Sequence, residues 1–357
     1  MTALALPPRP RILVVALRRL GDVLLTTALI RSLRREWPDA QIDALVFAQT
    51  AGILAGNPDL NAVISMPERA STLGSLRLAV RLARRYALAV STQSGDRPTF
   101  FSILAARTSV GPVGEGALAR MKAFLLARRV RSLEGVHRIE QIMQLADVLG
   151  VARVAEVVCP SSATIPQIIP RRPYAVVHAA PMFRYKRWTV EGWRALAAAL
   201  RERGLDIVAT GGPAADERRY LDEVWSASDT SVCRVDARLD WPDLTATLSG
   251  AAIYVGPDTS VTHLAAASGC PTIALYGPTD PRIWGPWPAG GLQEPWSAAG
   301  TIQRRGNVWL VQNPLPCLPC QQEGCLHRRD SHSRCLDELS TISVLAILDE
   351  ALATRRR

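Results

Sequence analysis

The stretch from Ala252 to Gly277 constrains this chain more than any other. It reads Ala-Ile-Tyr-Val-Gly-Pro-Asp-Thr-Ser-Val-Thr-His-Leu-Ala-Ala-Ala-Ser-Gly-Cys-Pro-Thr-Ile-Ala-Leu-Tyr-Gly, the pattern of strand, tight loop, helix, turn and strand. Ile253 to Val255 is a short apolar run that Gly256-Pro257 breaks. Asp258, Thr259 and Ser260 all suit the N-cap of a helix carrying Val261, Leu264 and Ala265 at helical spacing. Gly269 closes that helix, and Pro271 to Leu275 is a second buried strand. Such a unit aims backbone N–H groups at the crevice above the strand ends, where doubly wound α/β domains hold phosphate. An ordinary capped unit with no ligand has the same spacing, so the chemistry stays open here.

The same alternation recurs along the chain. Arg11 to Leu17 is a continuous apolar run of the kind found in central parallel strands, followed by the short loop Arg18-Arg19-Leu20-Gly21. A helix is expected over Asp22–Glu36, with Val23, Leu24, Thr27, Ile30 and Leu33 inward. Strands are expected at 41–47, 61–66, 87–92 and 109–113, with helices near 50–55, 71–85, 98–106 and 135–149. Residues 160–173 hold four prolines and no periodicity and read as a linker. The pattern then restarts, with strands at 174–178, 205–210 and 232–235 and helices at 189–203, 213–226 and 241–249. Residues 278–335 are rich in Pro, Gly, Trp and Cys, without clear periodicity, and 341–357 read as a last helix. The boundaries expected are a first domain at 1–160, a linker at 161–173, a second domain at 174–338 with a Cys-rich segment at 314–336, and a terminal helix at 339–357.

At 357 residues two domains are expected, each able to bury a core. No apolar run approaches the roughly 18 residues that span a bilayer, and Met1–Pro10 lacks the layout of a signal peptide. A cytoplasmic location is the expectation. The net charge of +10 is uneven: residues 1–150 hold 20 basic against 11 acidic side chains. An anionic partner is therefore expected on the first half, and nucleic acid, an acidic membrane face or an acidic glycolipid would each fit. The segment 117–131 reads as a basic amphipathic helix suited to an acidic leaflet, or one packed inward with a solvated basic face.

Four groups of residues can carry chemistry. Gly21-Asp22 lies at the carboxyl edge of the first strand, where Asp22 is either a helix cap or a base. Lys186 follows the strand ending at His178 and is one of only two lysines in the chain. It suits a diphosphate leaving group or belongs to a solvated basic loop. His263 lies one turn into the 259–268 helix, where a buried structural histidine is the plainer reading. Cys317, Cys320, Cys325 and Cys335 cluster within 19 residues, as metal thiolates or as reduced structural cysteines. Gly-x-Gly-x-x-Gly, P-loop, nucleophile-elbow and zinc-protease signatures are absent from the sequence.

Taken together, Arg11 to Thr27, Lys186-Arg-Trp188, Ala209-Thr-Gly-Gly-Pro213, Gly256 to Ser260 with His263, and Tyr276-Gly-Pro-Thr-Asp280 closely resemble glycosyltransferase family nine, the heptosyltransferases of the lipopolysaccharide core. The opening motif and the Pro-Cys-Leu-Pro-Cys segment resemble members called heptosyltransferase III, with members acting on earlier core sugars left open as the alternative. The resemblance implies an α/β GT-B architecture, two Rossmann-like domains facing a central cleft. It also implies inverting transfer of heptose from ADP-heptose to a core-lipid sugar, with no cofactor required. Carried over by position, Asp22 looks like the base on the acceptor hydroxyl and Lys186 like the cation on the ADP phosphates. Asp258, Thr259, Ser260 and Val261, with His263 and Gly212, look like the donor site, and Arg18, Arg19 and Gly21 the acceptor side. A structural zinc or iron at the four cysteines and a peripheral place on the cytoplasmic face of the inner membrane complete the expectation.

Two other classes share parts of this pattern. A nucleotide-sugar epimerase or hydrolase would use the same fold without an acceptor. A nucleic-acid-binding protein with a Cys knuckle would need aromatic residues interleaved with the basic first half. That half has few, since the tryptophans concentrate after residue 184, so no nucleic-acid partner is expected. The oligomeric state is not legible.

Overall fold

A computed structural model describes residues 4–114, 123–131, 133, 135–226 and 231–354. The chain divides into two compact units, Met1–Pro160 and Ser161–Arg357. Residues 151–173 contain neither helix nor strand. Part of this stretch is fastened to the first unit, where the Val154 and Val158 N–H groups donate to Ser32 Oγ and Thr27 Oγ1, both at 2.9 Å.

The first unit contains β1 (Arg11–Ala16), α1 (Leu20–Glu36), β2 (Gln41–Phe47), a 3₁₀ turn (Ala48–Leu54), β3 (Ala62–Met66), α2 (Thr72–Leu82), β4 (Tyr86–Ser91), α3 (Asp96–Ala105), β5 (Ala106–Val113), β6 (Arg128–Arg131) and α4 (Arg138–Leu149). Its sheet has the order β3-β2-β1-β4-β5-β6, parallel throughout. Strand β1 lies at the centre, which is why five of its six residues are buried apolar groups. Helix α1 buries Val23, Leu24, Ile30 and Leu33, and its buried hydroxyls are satisfied within the helix. Thr26 Oγ1 donates to the Asp22 carbonyl at 2.8 Å and Ser32 Oγ to the Ala28 carbonyl at 2.9 Å. Strand order reverses between β1 and β4, so the crevice above their carboxyl ends is the switch point of this unit.

The second unit repeats the plan with β7 (Tyr174–Val177), a 3₁₀ turn (Arg184–Lys186), α5 (Val190–Glu202), β8 (Asp206–Ala209), α6 (Ala215–Val224), β9 (Val232–Arg234), α7 (Trp241–Gly250), β10 (Ile253–Pro257), α8 (Ser260–Ala267), β11 (Thr272–Tyr276), α9 (Pro281–Trp284), β12 (Ile302–Arg305), β13 (Val308–Gln312), α10 (Arg334–Asp337), α11 (Thr341–Leu345) and α12 (Leu348–Thr354). The sheet order is β12-β13-β11-β10-β7-β8-β9, with only β12 antiparallel. Its core joins Trp188, Trp193, Ile207, Ile253, Ile273, Trp309 and Leu348. Each such side chain contributes roughly 1.5–3 kcal/mol through burial. Here the switch point lies between β7 and β10.

Three expectations change. Arg128–Arg131 is an edge strand, not the end of a basic helix, and its two-residue period turns Val130 inward and leaves arginines outward. The part of that stretch at 117–122 lies outside the described residues. The irregular stretch contains a hairpin, β12–β13, turning at Gly306-Asn307 with Gly306 at φ +53°. The Trp- and Pro-rich surroundings hid the apolar run Val308–Val311. The terminal helix is two short helices, α11 and α12, with 355–357 outside the described residues.

Candidate active site

In the first unit the loop after β1 feeds directly into α1. The N-cap of α1 is Arg19, so Asp22 is the third residue of the helix and does not occupy the cap. Its carboxylate is buried and held by two arginines. Arg138 Nε donates to Asp22 Oδ1 at 3.1 Å, and Arg18 Nε lies 3.2 Å from Oδ2. Arg138 opens α4 and is itself buried. Its Nη2 donates to the Thr92 carbonyl just beyond β4 at 2.8 Å, and its Nη1 to Gln141 Oε1 at 3.2 Å. Burial pulls the Arg138 guanidinium below its usual pKa, with the Asp22 charge opposing that shift. A buried carboxylate paired with two guanidinium groups therefore sits at the switch point of this unit, over the β1 edge.

In the second unit the corresponding place is built around Asp258, immediately after β10. Thr259 is the N-cap of α8, and its side chain accepts from the Thr262 N–H at 3.4 Å. Of the three candidate caps, Thr259 takes the role and Asp258 turns inward. Lys186 Nζ donates to Asp258 Oδ2 at 2.5 Å and to its carbonyl at 3.2 Å. Thr279 Oγ1 donates to Oδ2 at 2.7 Å, Tyr276 OH approaches Oδ1 at 3.4 Å, and His263 Nε2 lies 3.9 Å from Oδ1. Burial would raise the Asp258 pKa, but Lys186, His263 and the hydrogen bonds outweigh it and hold the group below the usual carboxylate value. The same burial and the neighbouring carboxylate push the Tyr276 phenol well above its ordinary value.

The mouth of α8 thus presents the first-turn N–H groups of Ser260 and Val261, with Lys186 beside them. Helix N-termini leave N–H groups without intrahelical partners, an arrangement that suits an anion. Gly256 leaves room for the Tyr254 ring, whose hydroxyl a Cβ at that position would strike. Tyr254 OH in turn pairs with Thr262 Oγ1 at 2.9 Å, bracing the first turn of α8.

Two further residues follow the neighbouring strands β7 and β8. His178, one residue past β7, is buried with Nδ1 2.9 Å from Thr210 Oγ1. Burial lowers its pKa to about 4, so it is neutral at physiological pH. The Gly212 N–H donates to Glu217 Oε2 at 2.8 Å, so this loop is held by α6.

Comparison with known proteins fits this geometry. The family model described as "Glycosyltransferase family 9 (heptosyltransferase)" matches residues 76–300. The chain belongs to glycosyltransferase family 9. Lipopolysaccharide heptosyltransferase 3 of Escherichia coli K12 is 26% identical over 291 residues, covering 76% of this chain and 84% of that protein. The family 9 glycosyltransferase of Veillonella parvula superposes with a TM-score of 0.78 at 16% identity, over 99% of both chains. E. coli heptosyltransferase WaaC with ADP gives a TM-score of 0.72 at 20% identity, over 96% of this chain and 99% of that one. WaaC has also been solved with ADP-2-deoxy-2-fluoro heptose. The family 9 chain is a glycosyltransferase with the GT-B fold, two Rossmann-like α/β units.

The family 9 chain keeps its cysteines near one another without gathering them. Cys317, Cys320, Cys325 and Cys335, with His327 and Arg334, line one cavity of about 470 Å³. Among the described residues, however, no group of three or more His, Cys, Asp or Glu is placed to hold a metal ion. Burial first, and then the neighbouring thiols, push the Cys335 thiol up to about 12, so it is protonated in this arrangement. The geometry as it stands does not support the expected zinc or iron site.

Sequence reading gave no role to Arg138 or Thr92, nor to Tyr276 and Thr279, although the last two stand in the Tyr276–Asp280 motif. None lies in a recognisable local motif with its partner: Arg138 is 116 residues from Asp22 in sequence.

Proposed function

We propose that this chain transfers heptose from ADP-heptose to a sugar of the lipopolysaccharide core with inversion at the anomeric carbon. Asp22 takes the proton of the acceptor hydroxyl, the new bond forms at the anomeric carbon, and ADP leaves. Lys186 and the 258–261 helix start stabilise the growing charge on the departing diphosphate. The observation that carries this reading is the Lys186–Asp258 pair at the mouth of α8, in a chain of this family. Asp258 neutralises Lys186 and aims it, accepting two of its ammonium protons and leaving the third for a phosphate. Thr259, Ser260, Val261 and His263 form the donor side. Arg18 and Arg19, just before α1, and Gly21 in its first turn form the acceptor side, where an anionic core sugar meets arginine.

The test offers ADP-heptose with a ladder of truncated core lipids and reads products by mass. One acceptor should gain one heptose while ADP appears in equal amount. A change in the donor without acceptor would instead indicate an epimerase or a hydrolase.

We propose a peripheral place on the inner leaflet, with α2 as the docking face. Among the described residues no helix is long and apolar enough to cross a membrane. Yet α2 exposes Leu73, Leu76 and Val80, one stripe at helical spacing, while only Ala79 and Leu82 are fully buried. Arg77 and Arg81 flank the stripe, and Arg84 and Arg85 follow it, all exposed. Large aliphatic side chains beside arginines suit an anionic lipid surface. In flotation assays the protein should bind phosphatidylglycerol vesicles at low salt, bind phosphatidylcholine vesicles weakly, and lose binding in Leu76→Asp. Equal binding to neutral vesicles, or a dimer that Leu76→Asp dissociates, would overturn this.

A structural metal at Cys317, Cys320, Cys325 and Cys335 is a further proposal that requires the four thiols to draw together on binding. Protein purified from zinc- and iron-supplemented culture should then carry close to one equivalent of metal, and Cys320→Ser should lower both metal content and Tm. Metal-free protein of undiminished Tm would leave the cysteines as ordinary thiols.

A further inference from the structure

The grip on Asp22 is asymmetric. Arg18 reaches Oδ2 from a side chain that is 42% exposed, whereas the side chain of Arg138 is 9% exposed. Arg138 is also tied down at every nitrogen: Nε to Asp22, Nη2 to the Thr92 carbonyl and Nη1 to Gln141. Gln141 is braced in turn, its Nε2 donating to the Val136 carbonyl at 3.0 Å. The guanidinium thus joins three elements, the start of α1, the end of β4 and the start of α4. A buried guanidinium fixed to a backbone carbonyl is a rigid fork, and its third tooth sets the rotation of the Asp22 carboxylate.

We infer that Arg138 is the positioning residue of the transfer reaction: it locks Oδ1 of Asp22 so that Oδ2 is presented as the proton-accepting oxygen. Arg18, on the exposed side of Oδ2, is the partner that can exchange for an incoming acceptor group. The inference rests on Asp22 as the base and adds what aims it. An unaimed carboxylate rotates about its side-chain torsions, and a displacement of about 1 Å in a reacting group costs on the order of 10²-fold in rate. Arg138 touches no substrate in this scheme, so its effect must pass wholly through Asp22.

A double-mutant cycle on the full chain tests this with ADP-heptose and the accepted core lipid. Arg138→Gln keeps a planar hydrogen-bonding group and removes the charge and the fork. It should lower kcat by on the order of 10²-fold while the donor KM moves less than about threefold. In an Asp22→Asn background the same change should do almost nothing, because the group it aims is already gone. Arg138→Lys, which cannot reach Asp22 and the Thr92 carbonyl together, should fall between wild type and Arg138→Gln. It carries the cycle if circular dichroism shows Arg138→Gln unfolded. Losses that multiply in the double variant, or a donor KM that rises with the fall in kcat, would show a general structural role and overturn the inference. Should Asp22→Asn alone retain its activity, the base assignment fails first and this inference with it. An inactive Asp22→Asn beside a fully active Arg138→Gln would overturn the positioning role alone.

Discussion

Asp22→Asn should lower kcat by roughly 10²–10⁴-fold and leave donor affinity nearly unchanged. A sugar hydroxyl is a poor nucleophile at neutral pH, so its attack depends on a base within hydrogen-bond reach. Asparagine has the same shape and still accepts one hydrogen bond, but it takes no proton. The substitution also removes a negative charge from between Arg138 and Arg18. Leaving a buried guanidinium without its counter-charge costs about 3–5 kcal/mol of stability. The kinetics are therefore read beside a thermal melt and circular dichroism, at a temperature where the variant is folded. ADP affinity, measured by calorimetry, should stay within about twofold of wild type because Asp22 belongs to the first unit and the phosphate site to the second. A folded variant keeping more than about a third of wild-type kcat, far above what loss of a general base leaves, would move the base elsewhere.

Lys186→Ala should weaken ADP binding by about 10–100-fold, the equivalent of one charge-assisted hydrogen bond to phosphate. It should lower kcat as well, because the phosphate charge grows as the glycosidic bond breaks. The substitution leaves the buried Asp258 carboxylate with Thr279, Tyr276 and His263 as its remaining partners. A fall in Tm should accompany the loss of affinity, since an uncompensated buried charge is costly. The double variant Lys186→Ala with Asp258→Asn separates the two effects: it should recover much of the Tm and none of the ADP affinity. Unchanged ADP affinity in Lys186→Ala would show that the lysine serves only Asp258.

The repeated strand–helix alternation was legible because continuous apolar runs such as Ile12–Leu17 and Ile273–Leu275 have no other stable place than the middle of a covered parallel sheet. Gly256, the Asp258–Ser260 trio and Gly269 marked the loop, cap and end of α8 for the same kind of local reason. Helix α1 also followed its period, down to Leu33. The edge of each sheet was less legible. Strand β6 carries three arginines around one inward valine, and β12, the edge partner of the fully buried β13, has no pattern of its own. Edge strands bury one face or less, so the hydrophobic signal that identifies central strands is thin there.

The candidate site divides along the same line. That Asp22 follows the first strand, and that Lys186 and Asp258 stand at matching edges of the second unit, could be read from local spacing, because a motif is a short-range object. What each carboxylate does was decided by residues far off in the chain. Local propensity allowed Asp22 to be a cap, and Arg138, brought in at the start of α4, makes it instead one end of a buried ion pair. Asp258 was an equally good cap by composition, yet Lys186 and Thr279 draw it inward and leave Thr259 to close the helix. The cysteine cluster shows the reverse case: 19 residues of sequence gather four thiols, and the folded loop lines a cavity with them without converging on one point. The amino-acid order determined which elements form and which polar groups lie at their ends, through backbone propensity and burial. Only the tertiary structure decided which charge neutralises which, because that depends on distances between elements that no local pattern encodes.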